Sequence, residues 1–241
     1  MSRARAGVID GERGFVLHLT PFRETSLIAE LFTREHGRVS AVARGARRPQ
    51  SKLRGALMEF QPLELAWFGQ GEVKTVARAE WLGGQALLSG RALLYGYYLS
   101  ELLLNFVARE DAHPLLFDAY ERTMARLAAG DLSPAVLRIF EHALLREAGH
   151  APAFDRASGG GSIRPDRQYA LLPEQGLVDV SGVGAHEDCY PGSVLLAIAA
   201  DDYRAADTRR HGMRIMRNLI DRQLGDKALH SRRLFQELLQ A

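Results

Sequence analysis

The sequence contains very little cysteine and no long uninterrupted apolar run. Cys189 is the one cysteine among 241 residues, which excludes an internal disulfide and a multi-cysteine zinc site. The most apolar stretch, residues 86–107, is interrupted by Arg91 and Glu101, so it predicts a buried helix rather than a membrane span. No apolar segment follows the first arginines, so no secretory signal is predicted. These absences favour a cytoplasmic protein with no membrane role.

The motifs that commonly carry catalysis are also missing from the sequence. It has no Gly-x-x-x-x-Gly-Lys-Ser/Thr phosphate loop, no Gly-x-Ser-x-Gly elbow and no His-x-x-x-His pair. The glycines at 159–161 are not followed by lysine and are typical of a loop. Residues 186–189 (His-Glu-Asp-Cys) are adjacent, and adjacent residues converge poorly on one ion. The sequence therefore predicts a protein that is not an enzyme and that holds no metal or other cofactor.

Basic residues are unevenly distributed along the chain. The 31 basic and 29 acidic residues give a net charge of +2. Residues 34–54 contain seven basic residues against one acidic, and residues 209–233 contain eight against two, so each stretch has a local charge of +6. Because nucleic-acid binding depends on where charge is placed, the first stretch is a candidate DNA contact. Its basic residues are Arg34, Arg38, Arg44, Arg47, Arg48, Lys52 and Arg54.

The pattern of apolar residues changes near residue 82. Before it, apolar residues recur with period two in five runs separated by glycine-containing turns, which is typical of strands. A small barrel of the oligonucleotide-binding (OB) type hides the edges of such a sheet economically. The predicted strands cover residues 6–10 continuing through 14–19, then 26–33, 38–43, 62–68 and 73–81.

After residue 82 the period becomes that of helices, except over about 150–192, where a glycine-rich loop and a small hairpin (169–172 with 177–180) are expected. The fold class predicted is α+β. A five-stranded OB-fold barrel (1–82) packs directly on a mainly α-helical domain (83–241). The predicted helices cover residues 86–109, 113–129, 133–148, 193–200, 204–224 and 229–239.

In such a barrel the polar loop at 45–52 lies at the rim of the ligand face. Its cations could neutralise phosphates while Phe15, Phe32 or Trp67 stack on bases. The alternative for the charges is a solvated loop, and the three aromatic residues are expected to fill the barrel core rather than to stack on bases.

Four segments of the chain resemble the bacterial RecO family of DNA repair and recombination mediators. They are GFVLH…PFRETSL at 14–27, FTREHGRV…ARGAR at 32–47, LRIFE…LL at 137–145 and LGDKALHSRRLF at 224–235. The resemblance implies an N-terminal OB-fold that binds single- and double-stranded DNA. It also implies annealing of strands coated with single-strand binding protein, and loading of RecA together with RecR. The alternative is a protein–protein adaptor whose helical domain captures a partner tail while the OB-fold serves as a scaffold.

The resemblance also assigns residues. The DNA-contacting positions of the family fall on Arg38, Arg44, Arg47, Arg48, Lys52 and Arg54, within the basic stretch that begins at Arg34. The family's contact with the acidic tail of the single-strand binding protein falls on Arg138, beside Leu137 and Phe140; an ion pair with Glu141 or Glu110 is the alternative. Lys227, Arg232 and Arg233 match the terminal motif and contact DNA, a partner, or only Asp221 and Asp226.

The sequence departs from the family at one place. Many members carry a four-cysteine zinc element after the third helix, whereas residues 155–160 here contain no cysteine. Bound zinc is therefore predicted to be absent. The resemblance places the protein in the cytoplasm, associated with the nucleoid.

Overall fold

A computed structural model describes residues 7–182 and 189–234. By contacts between residues, the chain divides into two compact units. The first contains the chain up to Leu132 and resumes at Ala228, and the second is Ser133–Lys227.

The first unit begins with a closed five-stranded barrel in the order β1-β2-β3-β5-β4. β1 closes it, since the first half of this long strand pairs with β4 and the second half with β2. β3 and β5 are parallel and the other neighbours are antiparallel. This is the predicted OB-fold barrel, and a short helix follows β3. The elements are β1 (Val8–Phe22), β2 (Ser26–Thr33), β3 (Gly37–Ala43), α1 (Lys52–Ala56), β4 (Leu63–Phe68) and β5 (Val73–Trp81).

The barrel interior is filled by alternate residues of its strands, as period two requires. Ala29 and Leu31 of β2 lie in the same buried cluster as Ala41 of β3 and Trp67 of β4. Small alanines next to larger side chains suit the narrow interior of a five-stranded barrel. The prediction that Trp67 is a core residue is confirmed.

Phe15 and Phe32 are fully buried on the other face of the sheet. Their rings lie 5.1 Å and 6.0 Å from that of Tyr120, nearly perpendicular to it, and both also contact Phe117. Edge-to-face packing of this kind is favourable for aromatic side chains. Because these rings are enclosed, the alternative that they stack on bases is wrong.

Two helices belong to the same unit as the barrel: α2 (Gly90–Phe106) and α3 (Pro114–Ala128), which carries Phe117 and Tyr120. Residues 228–234 also belong to this unit. There the Glu101 carboxylate of α2 accepts hydrogen bonds from the backbone N–H groups of His230 (2.8 Å) and Ser231 (2.9 Å). Glu101 thereby caps a helical segment over residues 230–234.

The second unit combines helices with a small sheet of order β7-β6-β8. The predicted hairpin is confirmed as β6 paired with β7, whereas β8 was not predicted, because a three-residue strand has no measurable period. The remainder of the predicted terminal helix lies outside the described residues, as do residues 183–188. The elements are α4 (Pro134–Glu147), β6 (Gln168–Leu172), β7 (Gly176–Asp179), β8 (Cys189–Pro191), α5 (Gly192–Ala199) and α6 (Ala206–Leu224).

Residues 7–182 and 189–234 contain neither a candidate membrane span nor a candidate metal site. None of the helices there has the length and apolar character needed to cross a bilayer. No group of three or more histidine, cysteine, aspartate or glutamate residues is placed to hold a metal ion.

Gly55, inside α1, is a site where substitution should stabilise the protein. A β-carbon there would meet no atom within 4 Å, and alanine in a helix is favoured over glycine by about 0.5–1 kcal/mol. Gly55→Ala should therefore raise the free energy of unfolding by about that amount in a urea titration. Gly11→Ala is the matched control, since Gly11 has equal space but a φ of +73°, and it should destabilise instead. Equal effects of both substitutions would contradict the helical assignment of residue 55.

Candidate nucleic-acid interface

Five of the seven predicted DNA-binding residues lie together between the end of β3 and the end of α1. Arg44, Arg47, Arg48, Lys52 and Arg54 are all exposed. Within the part of the chain that the structure describes, none of the five forms an ion pair with a carboxylate. Their positive charge is therefore available to a ligand.

The loop that carries these residues is fastened to the turn between β1 and β2. The backbone N–H of Arg47 donates to the carbonyl oxygen of Thr25 (2.9 Å), and its guanidinium reaches the carbonyl of Glu24 (3.3 Å). The backbone N–H of Gly45 donates to the Ser26 hydroxyl at 3.4 Å. These contacts hold the basic loop in place before any ligand arrives, which lowers the entropy cost of binding.

A groove with a volume of about 630 Å³ lies beside this loop. Arg44 and Arg48 line it, together with Arg23 from the β1–β2 turn and Lys74 from β5. Lys74 is also paired with Glu110 at 2.5 Å. Sequence reasoning did not select Arg23 or Lys74, because they lie outside the basic stretch and reach the groove only when the barrel closes.

Arg34, by contrast, is held by carboxylates. Its guanidinium donates to both oxygens of Asp118 on α3, at 3.1 Å and 3.3 Å, and also pairs with Glu35. The hydrogen bond to Asp118 is the main reason that the pKa of Arg34 is raised. This side chain fastens the β2–β3 turn to α3.

Arg38 also has partners within the fold. Its guanidinium donates to the carbonyl oxygen of Leu104 on α2 and lies 3.7 Å from the Glu30 carboxylate. Burial lowers the pKa of Arg38, although the charge of Glu30 opposes that shift. Arg109 pairs with the same carboxylate at 2.8 Å. Sequence could not separate Arg34 and Arg38 from the exposed cations, because Asp118 and Leu104 lie 84 and 66 positions away and Glu30 is brought near only by strand pairing.

Gly37, between these two arginines, is required by close packing. Its φ is +63°, and a β-carbon there would lie 1.9 Å from the carbonyl oxygen of Asp111. Only glycine allows the turn and the chain near Asp111 to approach so closely.

Comparison with known protein families covers nearly the whole chain. Residues 11–85 match the family model described as Recombination protein O N terminal, and residues 87–233 match Recombination protein O C terminal. The chain belongs to the RecO family.

Individual RecO proteins resemble the chain over almost their full length. The DNA repair protein RecO of Aromatoleum aromaticum is 48% identical over 95% of this chain and 96% of its own. Those of Azoarcus sp. and Dechloromonas aromatica are each 47% identical, over 96% and 95% of this chain and 97% and 96% of their own. These relatives are DNA repair proteins, so the basic surface of the barrel belongs to a member of a DNA repair protein family.

Arg138, to which the sequence resemblance assigns tail binding as an expectation, lies on α4 in a buried setting. Arg138 pairs with Glu141 one turn along the helix, and their side chains are 12% and 1% exposed. Leu137 and Phe140 are buried core residues. Of the two ion pairs considered from sequence, the structure contains the one with Glu141, and a ligand carboxylate would compete with it for Arg138.

The basic residues of the terminal RecO motif differ in their surroundings. Lys227 and Arg233 are exposed, while Arg232 is half-buried with its guanidinium 6.0 Å above the Tyr98 ring. Asp221, one of the acids considered as a partner for them, lies 3.6 Å from Arg217.

Proposed function

We propose that this RecO-family protein binds single- and double-stranded DNA through the basic loop and α1, at Arg44, Arg47, Arg48, Lys52 and Arg54. The observation that carries the proposal is that all five cations are exposed and unpaired with carboxylates among the described residues. Arg34 and Arg38 support the site as structural residues. In this proposal residues 1–82 form the DNA-binding domain and 83–241 the helical domain.

We propose that DNA binding at this surface allows the protein to anneal complementary strands. Cations that contact phosphates hold a strand without reading its sequence, which is what a protein needs if it is to bring any two complementary strands together. The RecO resemblance extends the proposal to strands coated with single-strand binding protein, and to loading of RecA together with RecR in the cytoplasm, at the nucleoid. Arg138, Leu137 and Phe140 would recognise the acidic tail of the coat protein, and Lys227, Arg232 and Arg233 would add a DNA or partner contact.

Annealing of coated strands tests this function directly. Two complementary oligonucleotides are precoated with the cognate single-strand binding protein, either intact or without its acidic tail, and the annealing rate is measured with and without this protein. Acceleration that requires the tail supports the mediator function. If neither coat gives acceleration although naked DNA is bound, the annealing function is refuted.

The salt dependence of the binding constant should give the number of phosphate contacts. Each phosphate neutralised on a single strand contributes about −0.7 to the slope of log K against log salt concentration. Five cations therefore predict a slope of about −3.5 in a fluorescence-anisotropy titration with a single-stranded oligonucleotide. A slope near zero would rule out phosphate contacts as the basis of binding.

A further inference from the structure

The turn between β1 and β2 presents an aromatic ring to the groove. Phe22, the last residue of β1, is half-buried and lines the groove, and the Arg23 guanidinium lies 5.1 Å above its ring. Arg23 has a φ of +53°, which few non-glycine residues adopt. This conformation belongs to the turn that the hydrogen bonds from Gly45 and Arg47 fasten to the basic loop.

The floor of the groove is apolar. Ile28 of β2 pairs with Val42 of β3, which pairs in turn with Thr75 of β5, so the three residues form a row across the sheet. Their neighbours Ala29 and Ala41 belong to the barrel core, and side chains alternate between faces. The row therefore lies on the outer face of the barrel, and Ile28 and Val42 are only partly buried there.

The groove thus combines two kinds of surface. Phe22, Ile28 and Val42 offer apolar contact, and Arg44 and Arg48 place positive charge along the same groove. A single strand presents bases and phosphates separately and can use both surfaces at once. A duplex keeps its bases paired and stacked, so it can use only the charge.

We propose that Phe22 is a stacking platform for an unpaired base, and that it makes the groove prefer single-stranded over double-stranded nucleic acid. Arg23 covers the ring in the free protein and moves to a phosphate when a base takes its place on Phe22. This inference rests on the proposed DNA binding. It adds that the groove prefers a single strand to a duplex.

The test compares three ligands of equal length: a single-stranded oligonucleotide, the corresponding duplex, and a strand whose bases in the contacted stretch are replaced by abasic sites. Phe22→Ala should weaken binding of the single strand about 10-fold and leave the duplex and the abasic strand within about twofold of the unchanged protein. Trp81→Ala is the control, since Trp81 is an exposed aromatic residue at the far end of β5 and does not line the groove, and it should leave all three affinities unchanged. If Phe22→Ala unfolds, Phe22→Leu replaces it in the test. Leucine keeps the apolar bulk without the aromatic face, so this variant should show the same selective loss of affinity for the single strand.

Phe22→Trp gives an independent measurement. It should retain the affinity for the single strand, and its fluorescence should be quenched by that strand but not by the abasic strand, beyond any change seen with the unchanged protein. Equal losses on all three ligands, or no loss on the single strand, would overturn the stacking role while leaving phosphate binding intact. If the unchanged protein binds none of the three ligands, both this inference and the proposed function are refuted.

Discussion

Simultaneous replacement of Arg44, Arg47 and Arg48 by alanine is expected to lower the affinity for single-stranded DNA about 100-fold at 0.1 M salt. At that concentration each phosphate contact on a single strand accounts for about 0.7 logarithmic units of the binding constant relative to 1 M salt. Removal of three such contacts therefore removes about two logarithmic units. Anisotropy titrations should also show a salt slope that falls from about −3.5 to about −1.4.

A control of equal charge separates the site from the net charge of the protein. Arg91, Arg122 and Arg222 are exposed and, within the described residues, form no ion pair. Their replacement by alanine removes the same three charges and should weaken binding only a few-fold. Equal losses from both triple variants would show that the overall field, rather than the basic loop, binds DNA. The loss in the first variant should also be similar for oligonucleotides of different sequence, because backbone contacts carry no sequence information.

Arg138→Ala is expected to lower the free energy of unfolding by about 3–5 kcal/mol. The substitution leaves the Glu141 carboxylate, which is 1% exposed, without the guanidinium that pairs with it. Loss of an ionic partner by a carboxylate in such a buried position is much more costly than the loss of an exposed ion pair. Urea denaturation followed by circular dichroism measures the difference.

Two variants check the cause of this effect. Arg210 forms a pair of the same spacing with Asp207 at 3.0 Å, but both side chains are 71% exposed, so Arg210→Ala should cost at most about 1 kcal/mol. The double variant Arg138→Met with Glu141→Leu removes both charges and should restore most of the stability. A double variant as unstable as Arg138→Ala would show that the buried charge is not the cause.

The same double variant, together with the triple variant of the basic loop, separates the mediator from an adaptor. If Arg138 recognises the acidic tail, this folded variant should lose binding to a tail peptide and keep its affinity for naked DNA. The adaptor hypothesis further requires that the basic-loop variants keep full annealing activity on coated strands. Loss of that activity in the basic-loop variants would refute the adaptor.

Much of the site was predictable because its residues lie close together in the chain. Arg44, Arg47, Arg48, Lys52 and Arg54 fall within eleven positions, so a local charge count finds them, and the RecO resemblance selects the same group. The count also included Arg34 and Arg38, although their partners include carboxylate and carbonyl groups of β2, α2 and α3. A local sum of charge contains no information on partners that are brought near only by folding.

The aromatic residues illustrate the same distinction. Phe15 and Phe32 lie on strands next to the basic stretch, yet their rings are enclosed by residues of α3. Phe22 lies on the turn at the end of β1, outside every run that periodicity selected. Whether a strand aromatic faces solvent depends on which helix covers that face of the sheet, and this is decided by tertiary packing.

The sequence by itself determined the fold class, the five strands, the main helices, the family and the position of the basic loop. These follow from periodicity, turn residues and motifs, which are local properties of the chain. Only the tertiary structure decided which cations remain exposed, that Arg23 and Lys74 join Arg44 and Arg48 at one groove, and that Arg138 is enclosed with Glu141. The physical reason is that the exposure and the pairing of a charge depend on segments that are distant in sequence and meet only when the barrel closes and the helices pack.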